Sequence, residues 1–264
     1  MPRGERRMID QRAVIDPAAR LGEGVTIGPF TVIGPGVQIG DGSDVGPHCV
    51  LKGPTTVGKN NRIFQFASIG EIPQDKKFHG EDSTLEIGDG NTIREYVTIN
   101  RGTANGGGVT RVGNDNWIMA YSHIAHDCLI GNDVILSNAA SLAGHVVVGD
   151  HVVLGAFSLV HQFCRVGAYC FTAFGSVIGK DVPPYVRAAG HMAKPNGLNV
   201  TGLQRRGFTA AELAMLRRAY KLLYKSDLLL EEAVRRIRTL AEEAAVVGPL
   251  AEFLAAESQR SILR

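Results

Sequence analysis

A branched aliphatic residue returns at every sixth position over most of the first 180 residues, and very few folds can use such a period. Ile15, Leu21, Ile27, Ile33, Ile39, Val45, Leu51, Val57, Ile63 and Ile69 keep the spacing without a miss. The phase resumes at Ile87, Ile93 and Ile99 and then slips by one. It continues through Val112, Ile118, Ile124, Ile130, Leu136, Leu142, Val148, Leu154, Val160 and Val166. Thr172 is polar at the next position, and Ile178 closes the series. Neither a helix of about 3.6 residues per turn nor a strand alternating every two gives this pattern. Hexapeptide repeats specify a parallel β-helix, with three short flat strands per coil and one branched residue of each pointing inward. The hexapeptide class coils left-handedly. Eighteen residues complete one coil, so residues eighteen apart stack at about the 4.8 Å strand spacing. Glycine follows the inward residue at 22, 28, 34, 40, 46, 58 and 70, where the chain is expected to turn a corner that glycine tolerates.

Two segments leave the repeat: residues 72–84, "IPQDKKFHGEDST", and residues 101–110, "RGTANGGGVT". Both are expected to be loops thrown out from the prism, and loops carry function more often than scaffold does. After Ile178 the grammar changes. "DVPPYV" cannot continue a repeat, and "MAKPNGLN" reads as a crossing linker. Thr209 and Glu212 form a capping box that opens a helix with Leu213, Leu216, Tyr220 and Leu223 on one face. A second helix is expected from near Ser226 or Asp227 to about Val247, and Gly248-Pro249 punctuates it before a short third. The expected organisation is a left-handed parallel β-helix over residues 8–190 and a small α-helical C-terminal domain over 191–264. The first seven residues, "MPRGERR", read as a loose extension, and Met8 offers a second start.

Composition narrows the function classes. A net charge of +2 over 264 residues is too balanced for a nucleic-acid binder. No stretch reaches the eighteen apolar residues of a membrane span, and the N-terminus lacks the apolar run of a signal peptide. The four cysteines, at 49, 128, 164 and 170, form no CxxC pair and read as free thiols of a reducing, cytoplasmic setting.

The chemistry-bearing residues cluster. In "AYSHIAHDC", His126 lies two positions after the inward Ile124, hence outside and near a corner. Gly144 stacks beside it one coil on, Asp127 stacks on His145, and His123 and His161 flank inward positions in the same region. Three readings are open: histidines capping surface amides, a zinc site of neutral imidazoles, or His126 as a general base oriented by a carboxylate. In the last, the bare N–H of Gly144 suits an oxyanion.

"HIAHDC", "LAGHV", "VHQFCRVGA", "DVPPYV" and "GLQRRGF" resemble the UDP-N-acetylglucosamine O-acyltransferases of lipid A synthesis, as do "QFASIGEIPQDKKFHGE", "IREYVTINRGT" and "GGGVTRVG". The similarity is collinear from about Met8 to Arg264. It implies transfer of an R-3-hydroxyacyl group from acyl carrier protein to the glucosamine 3-hydroxyl of UDP-N-acetylglucosamine, in a homotrimer with sites between neighbouring prisms. It implies neither metal nor other cofactor. By the resemblance, His126 is the catalytic base, Asp127 supports it and Gly144 offers its N–H to the tetrahedral intermediate. Asp75 and Lys77 match residues that hold the sugar and acyl parts. His123, His145, His161 and Gln162 match substrate-lining positions, and Asn199 and Arg205 match the nucleotide end.

The chain departs from familiar members in three places. One hexad is missing between Ala18 and Ile27, which implies a shifted prism end and an unaltered site. Thr201 stands where a glutamate near the nucleotide is usual. Phe174 falls where long-chain members have glycine, so a medium-length acyl donor is expected. On the first C-terminal helix Arg217, Lys221 and Lys225 recur every four residues, either as a solvated face or as a docking stripe for an acidic carrier protein. The rival functions are an N-acyltransferase acting on a 3-amino sugar nucleotide, a zinc hydratase of the γ-type carbonic anhydrase kind, and a purely structural solenoid.

Overall fold

The computed structural model describes residues 9–264; the N-terminal extension and Met8 lie outside the described residues. Among those described, short strands form three sheets of nine, eight and ten strands that wind as a left-handed parallel β-helix. The first face runs from Val14–Ile15 through Ser68–Glu71, Thr98–Asn100, His123–Ile124 and Ser141–Leu142 to Val177–Ile178. The second includes Thr84–Ile87, Val109–Val112, Leu129–Ile130, Val147–Val148 and Arg165–Val166. The third includes Thr26–Ile27, Thr92–Ile93, Trp117–Ile118 and Phe171–Thr172. Partners lie eighteen apart, as with Val14 beside Val32 and Ile124 beside Leu142, and the register holds through the shortened start.

The inward residues are the core: Ile33, Leu51, Ile69, Ile93, Ile118, Ile124, Leu142 and Ile178 are each at most 1% exposed. Each such burial stabilises by about 1.5–3 kcal/mol relative to an exposed side chain. Thr172, the polar exception, is buried and shares a hydrogen bond of 2.7 Å with Ser158 while accepting the Gly155 N–H at 3.0 Å. Its hydroxyl is therefore satisfied.

The corner glycines play a different part from the one expected. The left-handed backbone falls three residues after the inward residue, not one: Phe30, His48, Tyr96, Tyr121, Asp127, His145, Phe157 and Phe163 all have φ between 56° and 65°. Of the glycines directly after an inward residue only Gly70, at φ 76°, is left-handed; the others are there for space. A Cβ on Gly28 would stand 2.6 Å from the backbone nitrogen of Pro47 in the next coil.

Both excursions leave from the edge between the first and second faces. Thr98 pairs with Ser68, thirty positions on instead of eighteen, so the first excursion adds twelve residues. Thr110 pairs with Leu85, twenty-five positions on, so the second adds seven. That insertion of seven is the one-residue slip seen in the sequence phase; the spatial register never slips, since Ile87 still faces Val112.

Past the repeats, Val186–Gly190 joins the third face beside Phe171–Thr172. The segment read as a linker is a strand, Ala193–Leu198, antiparallel to Val186–Gly190. It is the last strand of its sheet, where Pro195 deprives no further neighbour of a donor. Four helices follow: α1 (Val200–Arg205), α2 (Ala210–Tyr224), α3 (Leu230–Glu243) and α4 (Gly248–Ala255). The sequence reading missed α1, which is short and capped by Asn199. It placed α2 correctly on its capping box. It started α3 too early, because Ser226 turns its hydroxyl back to the Leu222 carbonyl at 2.6 Å and finishes α2 instead of opening α3.

Candidate active site

The edge between the first and second faces gathers the chemistry. Residues 125–128, 143–146 and 161–164 are three successive corners of that edge, and the two excursions emerge from the corners just before them. Between them lies an open cleft of about 1180 Å³ whose walls include Asp75, Lys77, His126, Asp127, His145 and Gln162.

Asp127 organises the centre. Its side chain is wholly buried, and its carboxylate accepts the Thr103 N–H at 2.8 Å, the Thr103 hydroxyl at 2.6 Å and His126 Nδ1 at 2.8 Å. Its own N–H donates to the Thr110 hydroxyl at 2.8 Å. Burial would push the carboxyl up, but the bonds from His126 and Thr103 and the nearby His145 outweigh it and hold it below the usual carboxylate range. An ionised carboxylate only accepts, so His126 Nδ1 carries a proton, and in the neutral ring Nε2 presents a lone pair. A positioned base needs that tautomer.

Gly144 is required by the same ring. A Cβ there would stand 2.5 Å from His126 Cε1 and 2.8 Å from Nε2, so the imidazole lies where any other side chain would begin. The Gly144 carbonyl accepts from Phe163, while its N–H donates to no other group among the described residues. The left-handed φ of Asp127, 60°, is no mark of special strain, because the same rung of nearly every coil adopts it.

The four histidines are near one another but do not converge. His145 stands edge-on to His126 with centroids 5.2 Å apart and brings Nε2 to 3.7 Å from Asp127. Burial, set against the attraction of Asp127, lowers its pKa. His123 shares a hydrogen bond of 2.7 Å with Thr98, and burial and then His126 keep it neutral-favouring. His161 is exposed and turned to Arg260 at 2.8 Å. A metal would find His126, Asp127 and His145 together. Two imidazoles and a carboxylate already engaged by Thr103 are a poor match to a three-histidine zinc set. Cys128 is no nucleophile: burial pushes its thiol up to about 12.

The other predicted residues fall elsewhere. Asn199 spends its side chain on the α1 N-terminus, accepting the Gly202 N–H, and on donation to the Tyr169 carbonyl. Arg205 and Thr201 are exposed on α1. Phe174 is 74% exposed at the edge between the third and first faces, edge-to-face with Phe157 at 5.4 Å. None of these, and neither His123 nor His161, lines the cleft of its own chain. Arg217 and Lys221 along α2 and Lys225 at its C-terminal cap are exposed without a carboxylate partner among the described residues, whereas Arg218 pairs with Glu243 at 3.6 Å.

The residues that sequence reasoning passed over are supports and walls. Thr103 and Gly106 sit in "RGTANGGGVT", and a Cβ on Gly106 would collide with the Asp127 carboxylate. The glycine-rich loop was the available signal. Glu257, Ser258 and Gln259 line the cleft from the C-terminal tail, for which no local pattern gave a sign.

A protein of Alkalilimnicola ehrlichii named acyl-[acyl-carrier-protein]–UDP-N-acetylglucosamine O-acyltransferase is 59% identical over 256 residues, covering 97% of this chain and 99% of the relative. The chain belongs to the UDP-N-acetylglucosamine O-acyltransferase family. A protein of the same name from Neisseria gonorrhoeae is 54% identical over 257 residues, with 97% and 99% covered. The crystal structure of the UDP-N-acetylglucosamine acyltransferase of Francisella novicida superposes with a TM-score of 0.96 at 44% identity, covering 97% of this chain and 94% of that one. Its Arabidopsis counterpart gives 0.84 at 35% identity, covering 97% and 100%. The family model for UDP-N-acetylglucosamine O-acyltransferase domain 2 matches residues 181–263, and that for bacterial transferase hexapeptides matches residues 18–53 and 110–144.

Proposed function

We propose that the cleft is the acyl-transfer site of this enzyme. The chain transfers an acyl group from acyl carrier protein to UDP-N-acetylglucosamine, the reaction for which its relatives are named and the first step of lipid A biosynthesis. The acyl group is an R-3-hydroxyacyl chain and the acceptor is the sugar 3-hydroxyl. The observation that carries the site assignment is the His126–Asp127 pair, with the His126 ring lying over Gly144. His126 Nε2 accepts the hydroxyl proton as the sugar oxygen attacks the thioester carbonyl. The oxyanion that forms takes the free Gly144 N–H, and the buried Asp127 carboxylate stabilises the imidazolium. Collapse forms the ester and expels the carrier thiolate, which recovers the proton. Asp75 and Lys77 hold the substrate from the first excursion. His123, His145, His161 and Gln162 flank it. The deciding assay sets defined acyl-carrier thioesters against UDP-N-acetylglucosamine and its 3-amino analogue. Transfer only to the amine would overturn the O-acyl reading.

The site is shared between copies in a homotrimer. Phe30, Phe66, Tyr96 and Tyr121 are 44–62% exposed and belong to one stacked ladder up the edge between the third and first faces. An apolar row of that length suits a subunit contact. Asn199, Arg205 and Phe174, which line no cleft in their own chain, would then serve the nucleotide and acyl ends of a site between neighbouring prisms. There Phe174 acts as the floor of the acyl groove and selects a medium chain. Each methylene kept out of the groove forfeits about 0.8 kcal/mol, so excluding two to four of them amounts to roughly ten- to several-hundred-fold in selectivity. Phe174→Gly should move the preference of the enzyme toward longer donors. An unchanged chain-length profile in a series of carrier thioesters would remove the ruler.

The carrier protein docks on α2 at Arg217, Lys221 and Lys225. Reversing Arg217 and Lys221 to glutamate should raise KM for the carrier thioester and flatten its salt dependence, leaving KM for UDP-N-acetylglucosamine alone. An unaltered thioester KM would return the stripe to an ordinary solvated face. The enzyme works in the cytoplasm, in keeping with four unpaired cysteines.

A further inference from the structure

The C-terminal tail is built into the wall of the site. After α4 the chain runs back to the prism, where Ile262 forms a parallel bridge with Asp181 and Leu263 enters the prism core at 5% exposure. Asp181 is fully buried and accepts the Asp181-facing hydroxyl of Ser258 at 2.6 Å and Arg165 Nε at 2.7 Å. Arg165 in turn lies under the ring of Phe253 at 4.3 Å. These contacts fix the tail on both sides of Arg260.

Arg260 reaches the cleft rim with two arms of its guanidinium. Nε donates to the Gln162 carbonyl at 3.1 Å, and an Nη donates to His161 Nδ1 at 2.8 Å. A guanidinium has no acceptor, so His161 Nδ1 must hold a lone pair and the ring proton sits on Nε2. The same Nδ1 is 3.2 Å from the Gln162 carbonyl. With Arg260 absent, two acceptors would face each other there, and the ring would relieve the clash by moving its proton to Nδ1 and donating it to that carbonyl. The two tautomers present opposite chemistry at the outer nitrogen, a donor with Arg260 and an acceptor without it.

We infer that Arg260 is a positioning residue of the acyltransferase, which locks His161 as an Nε2–H donor toward an uncharged substrate oxygen, a carbonyl or hydroxyl, bound beside Gln162. This rests on the proposed substrate-lining role of His161. Three measurements on the full-length enzyme test it. Nitrogen NMR of the imidazoles should assign His161 to the Nε2–H form in the wild type and shift it to Nδ1–H in Arg260→Met. Kinetically, Arg260→Met should raise a substrate KM by about three- to tenfold, the order of one hydrogen bond between uncharged groups, with kcat little changed. Arg260→Lys, which keeps a donor, should recover part of that loss. In a His161→Ala background the Arg260→Met effect should vanish. An unchanged tautomer in Arg260→Met, or the same KM penalty in both backgrounds, overturns the inference. If His161→Ala alone leaves both KM values intact, the substrate-lining role of His161 fails instead, and the tautomer measurement still decides the Arg260 contact.

Discussion

His126→Ala should lower the turnover of the enzyme by roughly 10²–10⁴, the range for a positioned acid–base group, with the fold intact. The fold should survive because the ring is on the outside of a corner, above Gly144, and the inward Ile124 and Cys128 are untouched. The measurement is kcat with saturating thioester and sugar nucleotide, beside circular dichroism and oligomeric mass. Near-full activity would remove the base. Loss of activity together with stoichiometric zinc in wild-type protein purified without added metal would favour the hydratase reading instead.

Gly144→Ala is the second large effect. The backbone at 144 accepts alanine, since its φ is outside the left-handed region, so folding loses little on that account. The new methyl would stand 2.5 Å from His126 Cε1, and the ring must swing away from its 2.8 Å bond to Asp127. Misplacing a reacting group by about 1 Å costs on the order of 10²-fold. The substitution keeps the N–H of residue 144, so a loss of kcat reports the displaced base and not a lost oxyanion donor. Retained kcat would show that the position of the imidazole over Gly144 is not needed for turnover.

Much of this was legible in the sequence because a six-residue period has one structural solution. Once the coil is granted, stacking at eighteen brings Asp127 onto His145 and Gly144 onto His126 without any long-range guesswork. What stayed hidden depends on contacts that no period encodes. The left-handed rung is filled mostly by aromatic residues such as His145, Phe157 and Phe163, with Asp127 among them, and aromatic residues are not usual turn formers, so no local turn signal announces it. The glycines one step after the inward residue looked like turn formers, yet they answer to the neighbouring coil. The Ala193–Leu198 strand carries Pro195 and Gly197, local signals for a linker, and becomes a strand only because Val186–Gly190 offers it an edge. The supports of the site were out of reach for the same reason. Thr103 meets Asp127 across an excursion, and Arg260 meets His161 ninety-nine positions away. Four histidines in one stretch suggested a common centre, and His161 turned out to belong with the tail.

The two excursions leave the prism at one edge and rejoin it in register, twelve and seven residues longer than a plain coil. Length at that edge is therefore uncoupled from the core. A descendant of this chain could gain or lose residues in either excursion, so long as Thr103 and Gly106 keep their places at Asp127, and so reshape what the cleft admits without moving one inward aliphatic residue. Substrate range and structural integrity can be inherited separately, with variation in the first confined to the loops that the prism merely anchors.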